Sequence, residues 1–330
     1  MFKKIIAAAL SSLLLAAPQA LAADLDGKEA YPEKYGESAP KGPSYSVIAE
    51  IYGGIVAFDE NNADDFADTP GELEFGFRAH FGGKHAFQVE ALAKAMGGPR
   101  DEQGEEPASF FTGGAHYIRR FDDSAVGAYA NLAGGGALAD DDASIGVTLA
   151  AQYAKFVGRT TFFAQAGFYH LLDESENNGD VLEDLLFANI GARYFFSRNM
   201  KLELNAAYGE GQTFDPNDAD DVADLKWLQL GAEFERQFET YPVSFVIGYT
   251  ADFVEAEDNQ GGGQADVTAH TVKVGFKFNF NSRGPSLFKL DREGAGTFKF
   301  TDTSRPISFA NEIDDAADDA SGSINTCAEC

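Results

Sequence analysis

Charged residues recur at every second position along several stretches of this 330-residue chain. That spacing puts carboxylates and cations on one face of a sheet, where neighbours on adjacent strands can pair. Glu72, Glu74 and Arg78 interleave with Leu73, Phe75 and Phe77, and Glu90 and Lys94 follow the same rhythm in the next stretch. If Phe81 and Phe87 flank a turn at 82–86, Glu74 stands opposite Lys94 and Arg78 opposite Glu90. Glu50 and Lys273 fall at similar heights and are expected to pair, and Arg193 and Glu203 to meet diagonally. The candidate lining residues are Glu50, Glu74, Arg78, Glu90, Lys94, Arg120, Arg193, Glu203, Lys273 and Lys277. With Glu72, Glu233, Glu235 and Lys201 the two signs nearly balance. Such a face can line a wet passage or stitch together a filled interior, and residue type alone does not separate the two.

Other chemistry is weaker. Asp59-Glu60-Asn61-Asn62-Ala63-Asp64-Asp65 and Asp215-Pro216-Asn217-Asp218-Ala219-Asp220-Asp221 offer oxygen ligands that suit calcium, but both lack the glycine and glutamate of an EF-hand loop. Solvated acidic loop is the preferred reading, with calcium bridging to surface lipid as the alternative. His170 and His270 fall on an apolar face, and the hydroxyls near them in sequence, Thr268, Thr271 and Ser175, form no catalytic set. An enzyme is therefore not expected, and no cofactor is implied. Gly113-Gly114, Gly134-Gly135-Gly136 and Gly261-Gly262-Gly263 do not precede helical patterns, so none cradles a phosphate. Cys327-Ala328-Glu329-Cys330 lacks the βαβ context of a redox motif and reads as a disulfide.

The elements that must position these charges are twelve alternating stretches: 44–58, 71–81, 86–96, 108–120, 124–136, 143–156, 160–171, 184–196, 199–209, 225–238, 242–254 and 267–280. Each has the ~9–11 residues, or slightly more, that a tilted strand needs to cross a bilayer. The gaps between them are alternately long and short. The long ones (59–70, 97–107, 137–142, 172–183, 210–223, 256–266) carry nearly half of the 53 acidic residues and a lone Arg100. Basic residues gather at the short ones instead: Lys84, Arg119, Arg120, Lys155, Arg159, Arg198, Lys201 and Arg236. Alternating loop length is what an up-and-down barrel in an outer membrane requires. The expected fold is thus all-β, a twelve-stranded antiparallel up-and-down transmembrane β-barrel. Its apolar face, with Phe75, Leu204 and Phe276, should look outward to lipid.

The ends and the composition fit this reading. Met1-Phe-Lys-Lys, an apolar run from Ile5 to Ala17 and the Ala20-Leu21-Ala22 site describe a cleaved signal peptide over 1–22. Residues 23–43 read as a periplasmic lead-in. The net charge of −28 repels nucleic acid. Mean hydropathy of −0.24 excludes a helical membrane protein but not a barrel. After the barrel, 281–330 holds only short alternations at Thr297–Phe300 and Ile307–Phe309, too short to cross a bilayer. It reads as a periplasmic tail in preference to a plug in the lumen.

The stretch Thr271-Val-Lys-Val-Gly-Phe-Lys-Phe-Asn-Phe280 resembles the closing strand of Gram-negative outer-membrane proteins. With the signal peptide and the loop rhythm, residues 44–280 resemble the porin-like barrel superfamily broadly, although that pattern normally ends at the terminal Phe. The resemblance implies recognition by the barrel-assembly machinery and residence in the outer membrane beside lipopolysaccharide. The expected function is passive diffusion of small hydrophilic solutes, with mild cation preference from the acidic outer loops. The alternative is a non-conducting structural or surface-interaction barrel, and behind it a lipid-modifying hydrolase.

Overall fold

The computed structural model describes residues 44–61, 71–96, 100–101, 104–105, 108–137, 144–173, 181–214, 222–258, 264–281 and 286–308. The expected signal peptide, the lead-in, part of each acidic outer loop and the two cysteines lie outside these residues.

Period-2 alternation produces twelve long strands: β1 (Ser44–Asn61), β2 (Gly71–Gly82), β3 (His85–Met96), β4 (Ala108–Arg120), β5 (Ser124–Ala137) and β6 (Ser144–Val157). They continue as β7 (Thr160–Asp173), β8 (Val181–Ser197), β9 (Met200–Phe214), β10 (Ala223–Gln237), β11 (Val243–Asp258) and β12 (Gln264–Asn281). Each pairs antiparallel with its neighbours in sequence, and β1 pairs with β12 from Ser46↔Asn281 to Asn61↔Asp266, which closes the barrel. Closure leaves no unpaired edge, a requirement for any sheet in lipid. Several strands run further at their outer ends than the sequence reading expects, β9 and β11 most clearly.

The connections at the other end are tight. Gly158 takes the left-handed φ of +54° in the two-residue turn between β6 and β7. Gly82 sits at φ +132° beside the β2–β3 turn, where an added Cβ would come within 2.4 Å of the His85 carbonyl oxygen. An L side chain fits neither site without strain.

Burial is inverted relative to a soluble sheet protein. Phe75, Phe77, Leu204, Phe276 and Phe278 are exposed, whereas Glu74, Arg78, Lys94, Arg193 and Glu203 are buried. Greasy side chains therefore face out and charged ones face in, as the alternation predicts. Tyr45, Phe81, Tyr117, Phe121, Tyr153, Tyr194 and Phe280 stand exposed near the strand ends, where an interfacial girdle belongs.

Two features depart from the sequence reading. First, the tail is not a periplasmic appendage over its described length. Helix α1 (Leu287–Glu293), a non-helical run and helix α2 (Ser304–Ser308) fold back inside the barrel. Ser286 caps α1 through its side chain, and Gly294 ends it. Second, the inward face is not uniformly charged. Toward the long-loop end Tyr169, Leu182, Leu185, Leu225, Trp227 and Val254 pack into one apolar cluster, with Glu72, Lys94 and Asp252 as the buried charges at that level.

Candidate functional site in the barrel lumen

Every candidate lining residue points inward, and most pair as their register dictates. Glu74 faces Lys94 and Arg78 faces Glu90 across β2 and β3, with N–O separations of 3.7 and 3.9 Å. Arg193 lies directly opposite Glu203, not diagonally, and donates to it at 2.8 Å. The expected Glu50–Lys273 pair does not form. At the closure Glu50 stands opposite Lys277, 3.8 Å away, and takes two bonds from Arg78 at 3.0 and 3.1 Å. Lys273 stands opposite Gly54 and donates to Glu74 at 3.0 Å. Lys277 also reaches Glu233 at 2.6 Å and Glu235 at 3.3 Å. Arg120, at the short-turn rim, points inward to the tail.

These charges hold the tail as much as one another. Arg193 donates to Asp291 at 2.8 Å, and Thr161 donates to the same carboxylate at 2.5 Å. Lys299 of the tail reaches Glu203 at 2.7 Å. Arg305 donates to Glu72 at 2.8 Å, and Lys94 pairs with Asp302 while donating to Ser304 at 3.2 Å. Burial alone would raise the Asp302 carboxyl, but the Lys94 ammonium overrides it and holds the group well below the usual carboxylate range. Phe298 enters an apolar pocket with Ile118, Phe156 and Phe163, and Phe300 stacks on His116 with ring centroids 4.5 Å apart. His116 is fixed between Glu90 and Gln152, each 3.0 Å from a ring nitrogen. Between tail and wall, a cavity of ≈ 30 Å³ remains beside Arg78, Glu203, Lys277 and Asp291, room for about one water.

Sequence reasoning missed Asp291, Lys299, Asp302 and Arg305. One signal was available: residues 289–305 mix both signs of charge, unlike the purely acidic run from Asp314. His170 bonds Asp184 at 2.7 Å and His270 bonds Tyr249 at 2.9 Å, whereas Thr271 turns inward to Arg305.

An inside-out barrel with a charged interior defines the class: a membrane-spanning β-barrel of the outer-membrane kind, here filled by its own C-terminal segment. No family model matches the chain, and no curated protein matches it in sequence. Among solved structures it is similar to the COG4313 outer membrane channel from Pseudomonas putida F1, at 14% identity and a TM-score of 0.47, over 76% of this chain and 100% of that one. It is also similar to the toluene transporter TodX of Pseudomonas putida, at 8% identity and a TM-score of 0.39, over 73% and 90%. A third similar structure is the outer membrane channel DcaP of Acinetobacter baumannii, at 12% identity and a TM-score of 0.32, over 74% and 99%.

Proposed function

We propose that the protein is an outer-membrane channel for small hydrophilic solutes that rests closed, with residues 286–308 as its stopper. One observation carries this reading. Four inward charges of the wall, Glu72, Lys94, Arg193 and Glu203, pair with a segment that follows β12 in the chain and forms no strand of the barrel, so the closing element is separable from the sheet. Withdrawal of the segment would leave a polar, charge-balanced track in the short-turn half. An always-open porin is not the reading, because the described lumen is packed.

The remaining expectations stand as parts of the same proposal. Export follows the N-terminal signal, assembly follows the closing strand, and the acidic outer loops contact lipopolysaccharide and its divalent cations. The loops give the open state a mild cation preference that weakens as salt screens them. No enzymatic step is proposed. The apolar cluster around Trp227 favours a second reading, a permanently occluded barrel with a structural or surface-interaction role.

Planar-bilayer recording decides between them. The Asp291→Ala/Arg305→Ala chain removes two buried anchors from the stopper and leaves the wall intact. An open probability at least ~10-fold above the unaltered chain is expected, the ratio that ~1.4 kcal/mol of lost closure gives. Silence from both proteins, with the barrels shown to be folded, would establish the occluded reading.

A further inference from the structure

Resting on the channel reading, we infer that the inner wall of the lumen is a recognition site for peptide main chain, and that its exogenous ligand is a short non-helical oligopeptide. Eight consecutive carbonyl oxygens of the tail, from Arg292 to Lys299, each accept from a wall side chain. Arg120 serves Arg292 and Gly294 at 3.1 and 3.3 Å, Ser44 serves Glu293 at 3.3 Å, and Arg78 serves Ala295 at 3.5 Å. Arg193 serves Gly296 and Thr297 at 2.9 and 3.0 Å, Gln88 serves Phe298 at 2.9 Å, and Gln165 serves Lys299 at 2.7 Å. Two amides are read as well: Ala295 N–H donates to Ser46 at 2.8 Å and Phe300 N–H to Glu90 at 3.2 Å.

Main-chain atoms carry no sequence information, so donors aimed at them accept any peptide that can lie in the track. Selectivity comes from what the side chains meet over Phe298–Asp302. The first aromatic has its apolar pocket, Lys299 has Glu203, and the second aromatic has the His116 ring. Thr301 donates to Gln165 at 2.6 Å, and Asp302 meets Lys94. The site thus suits aromatic–basic–aromatic–hydroxyl–acidic. When the tail leaves, guanidinium and amide donors exchange tail carbonyls for water while Arg78 and Arg193 keep Glu50 and Glu203, so the donors stay aimed at the track. A ligand rich in carbonyl acceptors at peptide spacing satisfies all of them together. A sugar offers hydroxyls but neither that spacing nor the paired aromatics.

The test uses the whole chain, with a protease site inserted at 282–285 and cut after folding, so that the barrel forms with its segment in place. A labelled Phe-Lys-Phe-Thr-Asp peptide is titrated by fluorescence anisotropy into the cut protein, and in parallel into uncut Asp291→Ala/Arg305→Ala. Saturable binding to either protein is expected, with at least ~10-fold loss when both Phe become Ala. Maltotriose should not compete. The inference is overturned by no binding to both proteins, by equal binding of the Ala-Lys-Ala-Thr-Asp peptide, or by equal competition from maltotriose. Conductance of the same two proteins reports on the channel reading separately. A conducting barrel that ignores the peptide removes only this inference, and a silent barrel that binds it removes only the channel.

Discussion

The two halves of the lumen are closed by different physics. Toward the short turns, ion pairs and side-chain-to-main-chain bonds hold a foreign segment against the wall. Toward the long loops, the wall closes on itself through Trp227, Leu225, Tyr169, Leu185 and Leu182, with Phe300 and Ile307 of the tail seated beneath. Apart from the Trp227–Asp252 bond, this apolar cluster contributes to stability without directional bonds, and no ligand chemistry is written into it. A charged lining is costly to desolvate and repays that only with partners in place. Charge predominates in one half and grease in the other, with Glu72, Lys94 and Asp252 the charges that reach the apolar level, and this separates the part that can exchange partners from the part that holds shape.

Arg193 tests the first half hardest. It joins Glu203, Asp291 and two tail carbonyls, and its guanidinium lies 4.5 Å from the Phe163 ring centre. Arg193→Ala removes the cation shared by two buried carboxylates, which keep Lys299 and Thr161 respectively, and should cost toward the lower end of ~3–5 kcal/mol. Limited proteolysis should then cut within 286–308, and Arg193→Lys should rescue only partly, because an ammonium lacks the planar fork. Trp227→Ala tests the second half. It opens a cavity in the cluster and removes the bond from its ring nitrogen to Asp252 at 3.1 Å, a loss nearer ~3 kcal/mol. Thermal melting in detergent should drop while the tail stays resistant to protease. Tail release in Trp227→Ala but not in Arg193→Ala would reverse the division of labour between the halves.

How much of this was legible follows from how each contact is encoded. The β2–β3 register could be derived because Phe81 and Phe87 bracket a tight turn that fixes every partner above it, down to Glu74 and Lys94. The closing pair was not derivable in the same way. No turn links β1 to β12, so the stagger at closure is free in the sequence, and Glu50 met Lys277 where Lys273 was expected. The tail was misread for a related reason. Its docking rests on wall side chains bonding tail main chain, as Gln88 does with the Phe298 carbonyl, and such bonds leave no periodicity in the tail. The apolar half was partly visible. In Leu225-Lys-Trp-Leu-Gln-Leu230 the inward Leu225 and Trp227 are as greasy as the outward Leu228 and Leu230, so alternation fades where both faces are dry.

The smallest expected effect concerns a single anchor in the charged half. Asp302→Asn keeps the shape of the side chain and weakens its grip on Lys94, which retains Glu74 at 3.7 Å and Ser304 at 3.2 Å. A loss of ~1–2 kcal/mol from tail docking should follow, with the barrel's own melting little changed. Acid provides the same perturbation without mutation. The Asp302 carboxyl is held below its ordinary value of 3.8 when docked, so its contribution is fully present above that pH and disappears as pH falls through the lower docked value. Protease protection of 286–308 should therefore survive at neutral pH and down to that ordinary value, then fade in stronger acid. In Asp302→Asn this component of the acid response should be missing. An unchanged acid profile in the variant would assign the sensitivity to another carboxylate of the same half, with Glu203 at Arg193 the next to substitute.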